Sequence, residues 1–79
     1  MNIYLISQTE NNDLDTYDSA VVVAPDEATA LIMHPNGQNS ELDKYLAQSW
    51  VKPEHVKVQL IGTAIGEDRR VVCASFNAG

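Results

Sequence analysis

Two short apolar runs, Ile3 to Ile6 and Ala20 to Ala24, flank Glu10-Asn11-Asn12-Asp13-Leu14-Asp15-Thr16-Tyr17-Asp18, a stretch with four carboxylates, two amides and no cation. No other feature constrains the fold as much. The runs read as strands and the stretch between them as a connection held in water. In residues 2–8, Ile3 and Leu5 alternate with Tyr4 and Ile6, so both faces carry apolar side chains, the pattern of a strand covered on both sides. The Asn-Asn-Asp start of the connection suits a turn, because short polar side chains bond their own backbone there and tolerate left-handed geometry. In residues 17–24 the β-branched Val21, Val22 and Val23 favour a pleated surface. Strict alternation puts Tyr17, Ser19, Val21 and Val23 on one face and Ala20, Val22 and Ala24 on the other.

Pro25 ends that strand and can open a helix, with Asp26 and Glu27 in its first turn, where the helix dipole favours negative charge. Ala28, Leu31 and Ile32 form its apolar stripe, and Pro35 stops it near His34. Pro35-Asn36-Gly37 makes a turn. A second helix is expected from Ser40, with Asp43 three residues on as a short capping box; Leu42, Tyr45, Leu46 and Ser49 line one face, Trp50 lies just beyond, and Pro53 sets the limit. Residues 56–62 alternate Val56, Val58 and Leu60 against Lys57 and Gln59, a half-buried strand; 71–76 form the last strand. If these two pair, they form a hairpin around Gly66-Glu67-Asp68. The expected fold class is α+β: a small two-layer domain of order β-β-α-α-β-β, with an antiparallel or mixed sheet of about four strands and one or two helices on one face.

Seventy-nine residues make one domain, 1–79, which buries only about 60% of the surface its unfolded chain exposes. A homodimer or another partner would supply the missing burial. The net charge is −6, unevenly spread: residues 1–43 hold eight carboxylates and no Lys or Arg, whereas 44–79 hold five cations against three carboxylates. Such a field repels phosphate backbones, which disfavours direct nucleic-acid binding, and it speeds encounter with a basic surface. The single cysteine, Cys73, cannot form an internal disulfide, so a reducing, cytoplasmic setting is expected. The N-terminal residues lack the basic region of a signal peptide, and no run approaches the length of a membrane span.

The chemical motifs are sparse. Asn11, Asp13 and Asp15 alternate like the first ligands of a calcium loop, but Thr16 stands where the loop needs Gly and Val22 where it needs Glu. His34 and His55 have no ligand spacing around them, so no metal and no cofactor is expected; His34 is read as meeting the last carbonyls of a helix. Cys73 alternates with Val72 and Ala74 and reads as a small apolar core residue. The four glycines match neither phosphate-loop nor dinucleotide spacing. The Arg69-Arg70 pair beside Glu67-Asp68 reads as a self-neutralising exposed tip. No nucleophile–base spacing appears, and the expectation is a protein that is not an enzyme.

The pieces Ile-Tyr-Leu-Ile-Ser-Gln (3–8), Asp-Thr-Tyr-Asp-Ser-Ala-Val-Val (15–22), His34-Pro35, Val-Lys-Val-Gln-Leu-Ile-Gly (56–62) and Ala-Ser-Phe-Asn-Ala-Gly (74–79) resemble a family of small phage and prophage proteins. The resemblance covers most of the chain apart from 36–50. It implies a setting, a bacterial cell carrying a mobile element, and carries over no activity or catalytic residue. In size, acidity and lack of a catalytic motif the chain is also similar to anti-CRISPR proteins. The expected function is therefore binding: an acidic face occupying a basic protein surface, such as the nucleic-acid channel of a CRISPR effector complex. Asp13, Asp15, Tyr17 and Asp18 are the first candidates for that contact, extended by Asp26, Glu27, Glu41 and Asp43. The alternative is a phage accessory protein that associates with itself through a sheet edge or helix face.

Overall fold

Four strands form one antiparallel sheet in the computed structural model, which describes residues 1–11, 15–37, 49–66 and 68–77. In chain order the elements are β1 (Asn2–Ser7), β2 (Thr16–Ala24), the helix α1 (Glu27–Leu31), a 3-10 turn (Pro53–His55), β3 (Lys57–Thr63) and β4 (Arg70–Asn77). The spatial order is β3-β1-β2-β4. The described residues are thus mostly sheet with one short helix. The expected second helix falls largely on 38–48, outside the described residues.

The two strands with apolar side chains on both faces occupy the centre of the sheet. Tyr4 and Ile6 of β1 stand opposite Val22 and Ala20 of β2. With Ala24, Ala30, Met33 and Trp50 they form the core. Ile6, Val22 and Ala24 are fully buried. The helix α1 lies against β1, β2 and β3, which makes this the covered face.

The last two strands do not form a hairpin. β3 pairs with β1 and β4 with β2, at opposite edges of the sheet. Their connection must cross three strand spacings, about 14 Å. Its six residues reach about 20 Å when extended, which suffices. Ala64 ties the crossing to the start of β1: its N–H donates to the Met1 carbonyl at 2.8 Å, and its carbonyl accepts from the Met1 amino group at 3.4 Å. A half-polar β3 fits an edge, where its Lys57 and Gln59 are exposed.

Other local expectations change for identifiable reasons. Asp26 is the N-cap of α1 rather than a first-turn residue; its backbone is extended and its Oδ1 accepts from the Thr29 N–H at 2.8 Å. The helix closes at Ile32, two residues before His34. A register shift between Tyr17 and Ser19 inserts Asp18 as an extra residue opposite β4. That bulge breaks the alternation, and Tyr17 packs against the core beside Ala20, Val22 and Ala24. Leu60 and Cys73, expected inside, are exposed. Leu60 aligns with Tyr4 on an edge strand that α1, at five residues, is too short to cover, and Cys73 aligns with Val21, on the face away from the core.

Substituting a central side chain should therefore cost far more than substituting an edge one. Ile6→Ala should lower unfolding free energy by about 2–4 kcal/mol and Leu60→Ala by about 0.5 kcal/mol or less, read from urea melts. Equal losses would contradict this division between centre and edges.

Candidate interaction surface

At one end of the sheet a buried amide organises the acidic connection. Gln8 follows Tyr4 and Ile6 on the core face of β1 and is itself buried. Its Nε2 donates to the carbonyls of Asn11 at 2.7 Å and Tyr17 at 2.9 Å, and its Oε1 accepts from the Asn11 N–H at 2.7 Å. Its backbone N–H donates to the Asp18 carbonyl at 3.1 Å. Donors and acceptor of one side chain thus bind both ends of the connection, so its desolvation is compensated. The Thr16 hydroxyl, also buried, donates to the Asn11 carbonyl at 3.4 Å. Asp15 takes a left-handed conformation, φ 62°, which short polar residues accept at modest cost.

This frame presents Glu10, Asp15 and Asp18 to solvent. Among the described residues none of the three makes an ion pair; Glu54 lies 3.7 Å from the His55 Nε2, both side chains well exposed. Beside the carboxylates runs a row of rings. Phe76, 46% exposed, meets Tyr17 at 4.8 Å between centroids; Tyr17 meets His34 at 5.5 Å, and His34 meets Trp50 at 6.5 Å, all edge-to-face. The row leads from the core to the sheet edge, so Tyr17 and Phe76 are anchored from behind. His34 holds its place through both ring nitrogens: Nδ1 accepts from the Asn36 N–H at 3.1 Å, and Nε2 lies 3.0 Å from the Ser49 Oγ. It is fully buried and serves the turn at Pro35-Asn36-Gly37 and the ring row, rather than the helix end expected of it.

The candidate residues divide into two groups. Asp15, Tyr17 and Asp18 sit together where β2 begins. Asp26 and Glu27 lie past the other end of β2, roughly 25 Å away along the strand. There Arg70 aligns with Val23, so that end carries both signs of charge. Asp26 is also engaged as a cap. Hydrogen bonding from Thr29, by its side chain and then its backbone N–H, holds the Asp26 carboxyl below its ordinary value of 3.8. Asp13, Glu41 and Asp43 lie outside the described residues. Among those described, no three His, Cys, Asp or Glu side chains gather as a metal-ligand set. No helix there is long and apolar enough to cross a membrane. Gln8 and Phe76 were not candidates from sequence. A polar residue continuing the core-face period of β1 into a turn was the available signal for Gln8; Phe76 had none until β4 was placed beside β2.

No protein-family model, curated protein or solved structure matches the chain.

Gln8→Leu removes the bonds and keeps the bulk. It should destabilise the domain by about 2–3 kcal/mol and speed amide exchange at Asn11, because the Tyr17 carbonyl loses its Gln8 donor and the Asn11 N–H its Gln8 acceptor. For Asp26, a lowered folded pKa means stability present above the ordinary carboxylate range and lost as pH falls through the folded value. Asp26→Ala should therefore be less stable than the parent at pH 7, with the gap closing toward pH 2–3 in thermal melts.

Proposed function

We propose that this is a non-catalytic binding protein that docks the end of its sheet holding Glu10, Asp15 and Asp18 on a basic protein surface, with Tyr17 and Phe76 as the apolar contact. The observation that carries the reading is the pairing of carboxylates that make no ion pair with an internally braced aromatic pair, Phe76 exposed and Tyr17 half-buried. Charged groups on such a surface set orientation and encounter rate, and rigid aromatic side chains supply affinity at low entropic cost. In the bacterial cytoplasm of a phage-carrying cell this suits an inhibitor, an anti-CRISPR among them, that competes with nucleic acid for the Lys and Arg of an effector channel. Glu41, Asp43 and Asp13 would extend the acidic surface; Asp26 and Glu27 would contribute from the far end only to a partner long enough to span β2. A second reading, a self-associating phage accessory protein, draws support from β3 and β4, which among the described residues each pair on one side only.

A tagged chain passed through bacterial lysate at low salt should retain a nucleic-acid-handling complex that elutes as salt rises. Asp15→Asn/Asp18→Asn, checked for native circular dichroism, should weaken that retention by about tenfold or more, and Phe76→Ala by a similar factor. Asp26→Asn should leave it unchanged if the partner engages one end alone. Retention of the same complex by all variants at low salt would remove this surface from consideration.

A further inference from the structure

His34 is a titratable side chain with no exposure at all, seated by hydrogen bonds that admit one arrangement of protons. Its Nδ1 accepts from the Asn36 N–H at 3.1 Å. A backbone N–H can only donate, so Nδ1 carries no proton. Neutral imidazole has one N–H, which must then sit on Nε2, and it donates to the Ser49 Oγ at 3.0 Å. The His34 carbonyl accepts from the Gly37 N–H at 2.8 Å, so the side chain and main chain of one residue close the same turn. The ring also meets Tyr17 and Trp50, at 5.5 and 6.5 Å between centroids.

A second proton would have to enter at Nδ1. It would replace the Asn36 bond with two donors pointed at each other, and it would leave a cation cut off from solvent. Aromatic rings attract a cation, but weakly beside the lost hydration of a fully buried charge. Among the described residues that bond or meet the ring, Asn36, Ser49 and Trp50 hold no charge, and Tyr17 is neutral as a phenol throughout the acidic range. Asp18 on β2, and Asp26 and Glu27 at the start of α1, are exposed to solvent.

We infer that the His34 seat is a proton-operated latch: the turn at 34–37, and with it the brace behind Tyr17, holds while the ring is neutral and opens when Nδ1 takes up a proton. The unfolded chain takes up that proton in the ordinary histidine range, about 6.5, and the folded chain resists it. Fewer protons on the folded state mean that stability is present above this range and lost as pH falls through it. The latch belongs to the isolated chain and does not require that Tyr17 and Phe76 dock on a partner.

Nitrogen NMR of the imidazole rings in the full chain should find His34 protonated on Nε2 alone at pH 7, and still so at lower pH while the fold persists. In urea melts the unfolding constant should rise about tenfold or more between pH 7 and 5, beyond the rise in His34→Asn. An asparagine there keeps an acceptor for the N–H two residues on and cannot titrate. A His55→Asn background leaves His34 as the only imidazole, and Glu41→Gln/Asp43→Asn/Lys44→Gln removes the charges of the segment outside the described residues; the excess should persist in both. Protection of the Asn36 and Gly37 amides, taken relative to intrinsic exchange at each pH, should fall in step, and emission from Trp50, the single tryptophan, should shift to the red. A ring charged on both nitrogens with the Asn36 amide still protected would overturn the latch. So would a proton on Nδ1 at pH 7, or a pH dependence that His34→Asn retains in full. If His34→Asn does not fold, the protonation state of the ring in the parent decides by itself.

Discussion

The antiparallel seam between β1 and β2 is the interaction on which the rest depends. It sets Tyr4 and Ile6 against Val22 and Ala20, and those side chains receive Ala30, Met33 and Trp50 from the other layer. In a chain of this length the buried surface is small, so a seam whose members lie at or near zero exposure carries a large share of the stability. The same seam fixes the distance between Ser7 and Ser19, and with it the span that the acidic connection has to close. Gln8 closes it from inside. A hydrophobic residue at that position would fill the space but take the Gln8 donor from the Asn11 and Tyr17 carbonyls and the acceptor from the Asn11 N–H.

The candidate surface follows from that arrangement. Carboxylates on a loose loop would lose conformational freedom on binding, and each contact would be correspondingly weaker. Here the Gln8 amide, the left-handed Asp15 and the bulge at Asp18 hold the chain direction, while the ring row from Trp50 to Phe76 braces the apolar contact from the core outward. Position in the fold also separates residues that looked alike in sequence. Asp18 is unpaired at a bulge, whereas Asp26 is bonded to Thr29 as a helix cap. Both are exposed acids, yet only the first is free to meet a cation with its full hydrogen-bonding capacity.

Much of the fold was legible from side-chain periodicity. All four strands lie within two residues of where alternation and β-branching put them, and the Pro35-Asn36-Gly37 turn is closed by the Gly37 N–H to His34 carbonyl bond at 2.8 Å. What failed shares one cause. The faces of Tyr17, Leu60 and Cys73 were read by counting alternation within a strand, and counting cannot see a bulge or tell an edge from a centre. The pairing of the last two strands was read from sequence proximity. Proximity is a weak guide when a six-residue connection is long enough to cross the end of the sheet. At the candidate surface, Asp15, Tyr17 and Asp18 were visible as an acidic cluster around an aromatic residue; the amide that positions them was not, because Gln8 looks like an ordinary polar strand end.

The sequence by itself determined which segments are strands, where the chain turns, and that its first half is acidic throughout. These are local properties, set by side-chain shape and backbone preference within a few residues. Tertiary structure alone decided that β3 and β4 part to opposite edges, that Phe76 joins Tyr17 beside the carboxylates, and that Arg70 returns to the end of the sheet near Asp26. Those outcomes depend on which strand finds the free side of β1 and which the free side of β2. That choice is made by burial across paired residues 47 to 61 positions apart, a distance over which local sequence pattern carries no information.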